Sequence, residues 1–150
     1  VHPKNRKRQD GIQIYKGGRS FFPDFYRKGT ALDGIDSFVL DAKYKRLSRG
    51  LNSGELEENI KSGFSIQRED LFQMISYMHV LPAQTAALLY PIEGAEAPVI
   101  KEDKKVLYGL GGEIFGIGMP IPREADYKEF LMQMKNVENE LKRIVNRLIE

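Results

Sequence analysis

Cysteine is absent from the 150-residue chain, which excludes a disulfide framework and a thiolate-held zinc site. Histidine is nearly absent, only His2 and His79. His79 falls near the apolar side of a helical stretch and reads as a packed residue rather than a ligand or general base. No apolar run approaches the roughly 18 residues that span a bilayer. The basic start, Val1 to Arg8, is followed by no apolar signal segment. These absences predict no membrane partner and fit a reducing cytoplasm. The glycines at 109, 111, 112, 116 and 118 fail as a phosphate loop, because Ile114 stands where a third glycine is needed and no Gly-Lys-Ser/Thr follows. They read as strand kinks or points of close approach.

What is present builds a core: 41% hydrophobic and 29% charged residues fit one domain across residues 1–150. A start at Val1 rather than methionine predicts a piece of a longer protein. Charge is unevenly placed. Residues 1–50 hold 12 Lys or Arg against five Asp or Glu, whereas the rest is net acidic, and such a basic third can attract a polyanion.

The pattern predicts a basic arm over 1–11, then short strands at Ile12–Tyr15, Phe21–Arg27 and Ser37–Tyr44, with turns at Gly17-Gly18 and Thr30–Gly34. Leu47–Ser65 reads as a long loop with a short helix near Glu55–Lys61. A helix is expected from about Gln67 to Leu81, with Ser65 as N-cap, Glu69 and Asp70 in its first turn and Pro82 ending it. Leu71, Ile75 and Met78, with Phe72 and His79 beside them, would form its buried side. Thr85–Tyr90 reads as a buried strand, Pro91–Pro98 as a loop, Val106–Leu110 and Glu113–Gly118 as strands, and Ala125–Ile149 as the longest helix. The order implies an α/β or α+β fold.

In Ser37–Tyr44, strand alternation puts Val39, Asp41 and Lys43 on one face and Phe38, Leu40, Ala42 and Tyr44 on the other. Nothing in packing calls for Asp and Lys together on one face of an apolar-flanked strand. A hairpin turning around Leu32–Gly34 pairs residues whose numbers sum to about 65–67, setting Asp24 opposite Asp41 or Lys43. Two carboxylates supply hard oxygen ligands for Mg²⁺, which keeps waters and a substrate phosphate as its other ligands. The metal activates water and neutralises charge on phosphorus, and a lysine beside it positions that water. The combination points to phosphodiester hydrolysis; a structural Asp–Lys ion pair is the plainer alternative.

Pro23-Asp24 followed by Asp41-Ala42-Lys43 resembles the PD-(D/E)XK nuclease superfamily, with Asp at the second acidic position. Gln73-Met-Ile-Ser-Tyr77 resembles the Q-x-x-x-Y motif of some of its branches, and residues four apart share a helix face. The strings Pro23-Asp24-Phe25, Leu40-Asp-Ala-Lys-Tyr-Lys45, Asp70-Leu-Phe-Gln-Met-Ile-Ser-Tyr77 and Leu89-Tyr-Pro91 resemble the McrC-like nuclease subunit of McrBC-type 5-methylcytosine restriction systems, over roughly residues 20–120. The resemblance implies a restriction-endonuclease-like central mixed sheet flanked by helices. It implies Mg²⁺ or Mn²⁺ held by Asp24, Asp41 and the Ala42 carbonyl, Lys43 as a catalytic residue, and Gln73 and Tyr77 as auxiliary ones. DNA would be the substrate and an AAA+ GTPase motor subunit the partner. Lys45 and Arg46 follow directly and are placed for sequence-independent phosphate contacts, or are ordinary solvated charge. The superfamily often adds a Glu on a preceding helix. Residues 1–20 contain none, so that helix is expected upstream of Val1.

The same chemistry would serve a repair nuclease or resolvase, and a non-catalytic nucleic-acid-binding or assembly module could keep the fold. Phe130, Met134, Val137, Leu141, Ile144 and Leu148 form a heptad-like stripe. It predicts that the last helix packs on its own domain, or else that 125–149 makes a helix-mediated oligomer.

Overall fold

A computed structural model describes residues 12–13, 15–17, 20–29, 37–44, 65–93, 99–109, 111–124 and 126–149. The basic arm, the 47–65 loop with its expected short helix, and Lys45 and Arg46 lie outside the described residues, Ser65 excepted. Among those described, β1 (Ile12–Gln13) pairs antiparallel with β2 (Ser20–Phe21). The remaining strands are β3 (Phe25–Arg27), β4 (Phe38–Ala42), β5 (Thr85–Glu93), β6 (Lys101–Val106) and β7 (Glu113–Ile121), and the helices are α1 (Arg68–Val80) and α2 (Tyr127–Ile149). Strands β3 to β7 form one sheet in the order β3-β4-β5-β7-β6. Its three central strands β4, β5 and β7 run parallel, and the edge strands β3 and β6 are antiparallel to their neighbours. This is the expected mixed α/β, restriction-endonuclease-like architecture, with one helix against each face.

The parallel centre explains the near-continuous apolar run of β5, because a strand buried on both faces needs no polar alternation. Val39, Ala86, Leu88, Tyr90 and Ile114 pack with Met74, Tyr77 and Met78 of α1. Phe38, Leu40, Ala87, Phe115 and Ile117 pack with Ile144, Leu141 and Val145 of α2. The alternation read from β4 therefore holds, Val39 facing α1 and its neighbours facing α2. Asp126 caps α2, its Oδ1 accepting the N–H groups of Lys128 (2.9 Å) and Glu129 (3.0 Å).

Several boundaries differ from expectation. The Phe21–Arg27 run is two strands, split at Phe22–Asp24. Strand β5 continues through Pro91, where the sequence predicts the start of a loop. Leu89 turns its carbonyl toward β4, where it accepts the Lys43 N–H at 2.8 Å. Two residues on, Pro91 faces the same side, past the last β4 residue paired with β5, Ala42, so its missing donor breaks no bond to β7. Strand β6 spans Lys101–Val106 rather than 106–110. Its half-buried positions are Asp103 and Lys105, which pair at 3.0 Å, and Asp103 also accepts the Ile66 N–H at 3.1 Å. A lysine-rich edge strand of this kind is blunted against adding another chain and carries no apolar alternation to betray it.

Helix α1 is capped by Gln67 with no side-chain cap bond, not by Ser65. The bond from Ile66 to Asp103 and the burial of the Ile66 side chain hold the chain extended past Ser65, so the helix starts later. Its buried residues are Asp70, Met74, Tyr77 and Met78. Leu71 and Ile75 are only half-buried, and Phe72 and His79 are exposed. His79 is thus not a packed core residue: the stripe that meets the sheet is rotated by about one position from the apolar one.

Gly109, Gly111 and Gly112 lie in the β6–β7 turn with positive φ, whereas Gly116 and Gly118 lie within β7. Gly112 (φ +102°) is the demanding one, since a Cβ there would stand 2.8 Å from the Gln84 carbonyl oxygen and 2.7 Å from Met78 Cε. Gly112→Ala should cost about 1–3 kcal/mol through backbone strain and this clash. A shift of the urea midpoint measures it, and an unchanged midpoint would contradict the close approach.

Candidate active site

The short turn Phe22-Pro23-Asp24 ends where β3 begins, and Phe25 pairs with Leu40. That register sets Asp24 opposite Asp41, the first of the two expected pairings. The Asp24 carboxylate is clasped to β4, its Oδ2 accepting the Ala42 N–H at 2.7 Å. Asp41, 6% exposed, forms an ion pair through its Oδ2 with the Lys43 ammonium. Asp41 and Lys43 thus meet on the α1 side of the sheet, as strand alternation requires.

Helix α1 completes the cluster. Lys43 Nζ donates to Gln73 Oε1 at 2.5 Å, and Gln73 Nε2 donates to the Tyr77 hydroxyl at 2.9 Å. The amide has to be oriented this way, because an ammonium only donates. Tyr77 is 2% exposed. Gln73 and Tyr77 therefore share one helix face and one hydrogen-bonded chain, as their four-residue spacing predicts. Of the candidate residues, Asp24, Asp41, Ala42, Lys43, Gln73 and Tyr77 come together.

Burial pushes the Asp41 carboxyl above the ordinary carboxylate range, and the Asp24 charge adds to the push. The Lys43 ammonium and a hydrogen bond from the Asp24 backbone pull the other way without cancelling it. The folded state thus binds the Asp41 proton more tightly than the unfolded chain does. Asp41's contribution to stability is full below its unfolded value and is lost as pH rises through the raised one. Burial likewise raises the Tyr77 hydroxyl, and the charges of Asp41 and Asp24 raise it further against the Gln73 hydrogen bond. Tyr77 stays protonated at neutral pH.

Two participants escaped the sequence reading as site residues. Asp70, 4% exposed, lies three residues before Gln73, and its Oδ1 is 4.0 Å from Lys43 Nζ. Its Oδ2 accepts the hydroxyl of Tyr90 at 2.8 Å. Burial drives the Tyr90 hydroxyl far above its usual range, and the Asp70 charge and hydrogen bond add to it. The i, i+3 spacing to Gln73 was the available signal for Asp70, but a first-turn acid reads equally as a response to the helix dipole. Tyr90 is hidden in an apolar strand.

Residues 4–91 match the family described as McrBC 5-methylcytosine restriction system component. That is more than half of the chain and includes every member of the cluster. The chain belongs to this family. No curated protein and no solved structure matches it. In this McrBC component the matched segment ends just after Tyr90, so β6, β7 and α2 complete the sheet and its second face outside the match.

No helix among the described residues is long and apolar enough to cross a membrane. Nor do three or more His, Asp or Glu side chains among them gather into a metal cage. The donor set that is present, two carboxylates and the nearby Ala42 carbonyl, suits a hard cation that keeps waters and substrate oxygens as further ligands. In a strand, the N–H and C=O of one residue point to the same edge. The Ala42 carbonyl therefore points toward the edge where Asp24 accepts the Ala42 N–H.

Proposed function

We propose that the chain is the DNA-cleaving nuclease component of a modification-dependent restriction system, of the McrC-like branch of the PD-(D/E)XK superfamily. The observation that carries the reading is the Asp24–Ala42 clasp beside the Asp41–Lys43 ion pair, with Gln73 and Tyr77 behind it. A plain surface ion pair would need neither the second carboxylate nor the amide–phenol chain.

Asp24, Asp41 and the Ala42 carbonyl would hold Mg²⁺ or Mn²⁺, which supplies an activated water and neutralises charge on the scissile phosphate. Lys43 holds its ammonium beside that position, where it orients the water and stabilises developing negative charge. Gln73 holds Lys43 by its oxygen and is itself held by Tyr77, so the long lysine side chain is ordered before substrate arrives. Asp41 accepts the charge of whichever cation stands before it. Lys45 and Arg46 continue the basic run after Lys43 and would meet the DNA backbone. The partner would be an AAA+ GTPase motor, and both would work in the cytoplasm.

The test is cleavage of 5-methylcytosine-containing DNA by the full-length protein with that motor and GTP. Scission with Mg²⁺ or Mn²⁺ that disappears on chelation is expected; none in any divalent metal would sink the proposal. Because burial raises the Asp41 carboxyl, protons compete with the metal for it, and Mn²⁺ affinity should weaken as pH falls. The decline should begin above the pH at which an ordinary aspartate titrates. Calorimetric titrations at several pH values check this, and a decline that sets in no earlier than an ordinary aspartate titrates would count against Asp41 as a ligand.

A further inference from the structure

The Lys43 ammonium lies between two carboxylates on different elements, Asp41 on its own strand and Asp70 on the first turn of α1. A buried carboxylate needs partners. One of Asp70's is the hydroxyl of Tyr90 on β5, a residue with no exposed surface. Asp70 is therefore anchored by α1 and β5. Gln73, the other group holding Lys43, offers a neutral oxygen.

We infer that Asp70 is a positioning residue: it is the counter-charge that keeps the Lys43 ammonium in place when Asp41 gives its carboxylate to a divalent cation. This rests on the metal-dependent reading above. A cation on Asp24 and Asp41 competes with Lys43 for Asp41 and repels the ammonium. With Gln73 alone, Lys43 would become a poorly compensated, partly buried charge, which is costly. Asp70, 4.0 Å away, lets the ammonium keep a negative partner with a small displacement. The Tyr90 tether keeps Asp70 from following it toward the metal.

The consequence is a thermodynamic coupling that a purely structural Asp70 would not show. Without the Asp70 charge, Lys43 clings to Asp41, and metal must displace it. The experiment is a double-mutant cycle on the full chain, with Mn²⁺ binding read by calorimetry for wild type, Asp70→Asn, Lys43→Ala and the pair. Asp70→Asn should weaken Mn²⁺ binding about tenfold when Lys43 is present and less than about twofold in the Lys43→Ala background. An equal loss in both backgrounds would mean that Asp70 merely attracts the cation through space. No loss in either, with wild type binding normally, would mean that Asp70 serves the fold alone. Either result overturns the inference and leaves the nuclease reading standing. Failure of wild type to bind Mn²⁺ overturns that reading, and this inference with it. If Asp70→Asn melts below the assay temperature, Tyr90→Phe takes its place, since it cuts the tether and spares the charge. Its loss of affinity should again vanish without Lys43, and a loss independent of Lys43 refutes the coupling.

Discussion

Asp41→Ala and Lys43→Ala should each reduce metal-dependent DNA cleavage by a factor on the order of 100 or more, while leaving the fold intact. The two losses differ in kind. Asp41→Ala removes a proposed ligand, so Mn²⁺ binding should weaken with cleavage, and more metal should recover only part of the rate. Lys43→Ala removes the ion that competes for Asp41, so Mn²⁺ binding should hold or tighten while cleavage is lost. Neither change should unfold the chain. Burial disfavours the Asp41 carboxylate, so removing it relieves a cost as well as breaking a pair. Cleavage time courses and Mn²⁺ titrations on the same preparations separate these outcomes. Undiminished cleavage by both variants would falsify the site assignment and favour a non-catalytic binding module.

Leu88→Ala should be among the most damaging single changes to stability, about 2–5 kcal/mol. Leu88 is fully buried at the centre of β5, in register with Asp41 on β4 and with Gly116 on β7. Gly116 offers no side chain to close over the gap, and α1 is held in place by its other contacts, so the cavity cannot readily collapse. At about 2–4 °C per kcal/mol for a domain of this size, the melting midpoint should fall by roughly 10 °C. A drop of under about 2 °C would show that this part of the core relaxes around the loss. Because the cavity would open beside Asp41, the variant should also bind Mn²⁺ more loosely at a temperature where it remains folded.

How much was legible followed from how local each determinant is. The shared face of Asp41 and Lys43 needs only the two-residue period of a strand. The Asp24–Asp41 pairing needs only that period and a nearby reversal, and both emerge in the register of β3 on β4. Gln73 and Tyr77 needed the helical period and the likeness to a known motif. What could not be read depends on distant partners. Asp70 takes a buried place on α1 that the apolar pattern assigned to Leu71, because Tyr90, 20 residues away, provides for its carboxylate. Strand β6 packs an Asp103–Lys105 pair where a strand normally shows apolar side chains, and the bond from Ile66 to Asp103 also delays the start of α1. The turn chemistry of Pro91 was sound in general and failed here because β4 ends before it.

That last detail also guards the alignment of β4 on β5. A two-residue advance of β4 would preserve which side chains face α1 and would leave the apolar pattern satisfied on both faces, so packing alone opposes it weakly. It would also bring the Asp41 carbonyl opposite Pro91, which has no N–H to give it. An interior carbonyl left without a donor costs about 1–3 kcal/mol. One missing hydrogen thus acts as a ratchet stop, and it keeps Asp41, with Asp24 clasped beside it, in step with the helix above them.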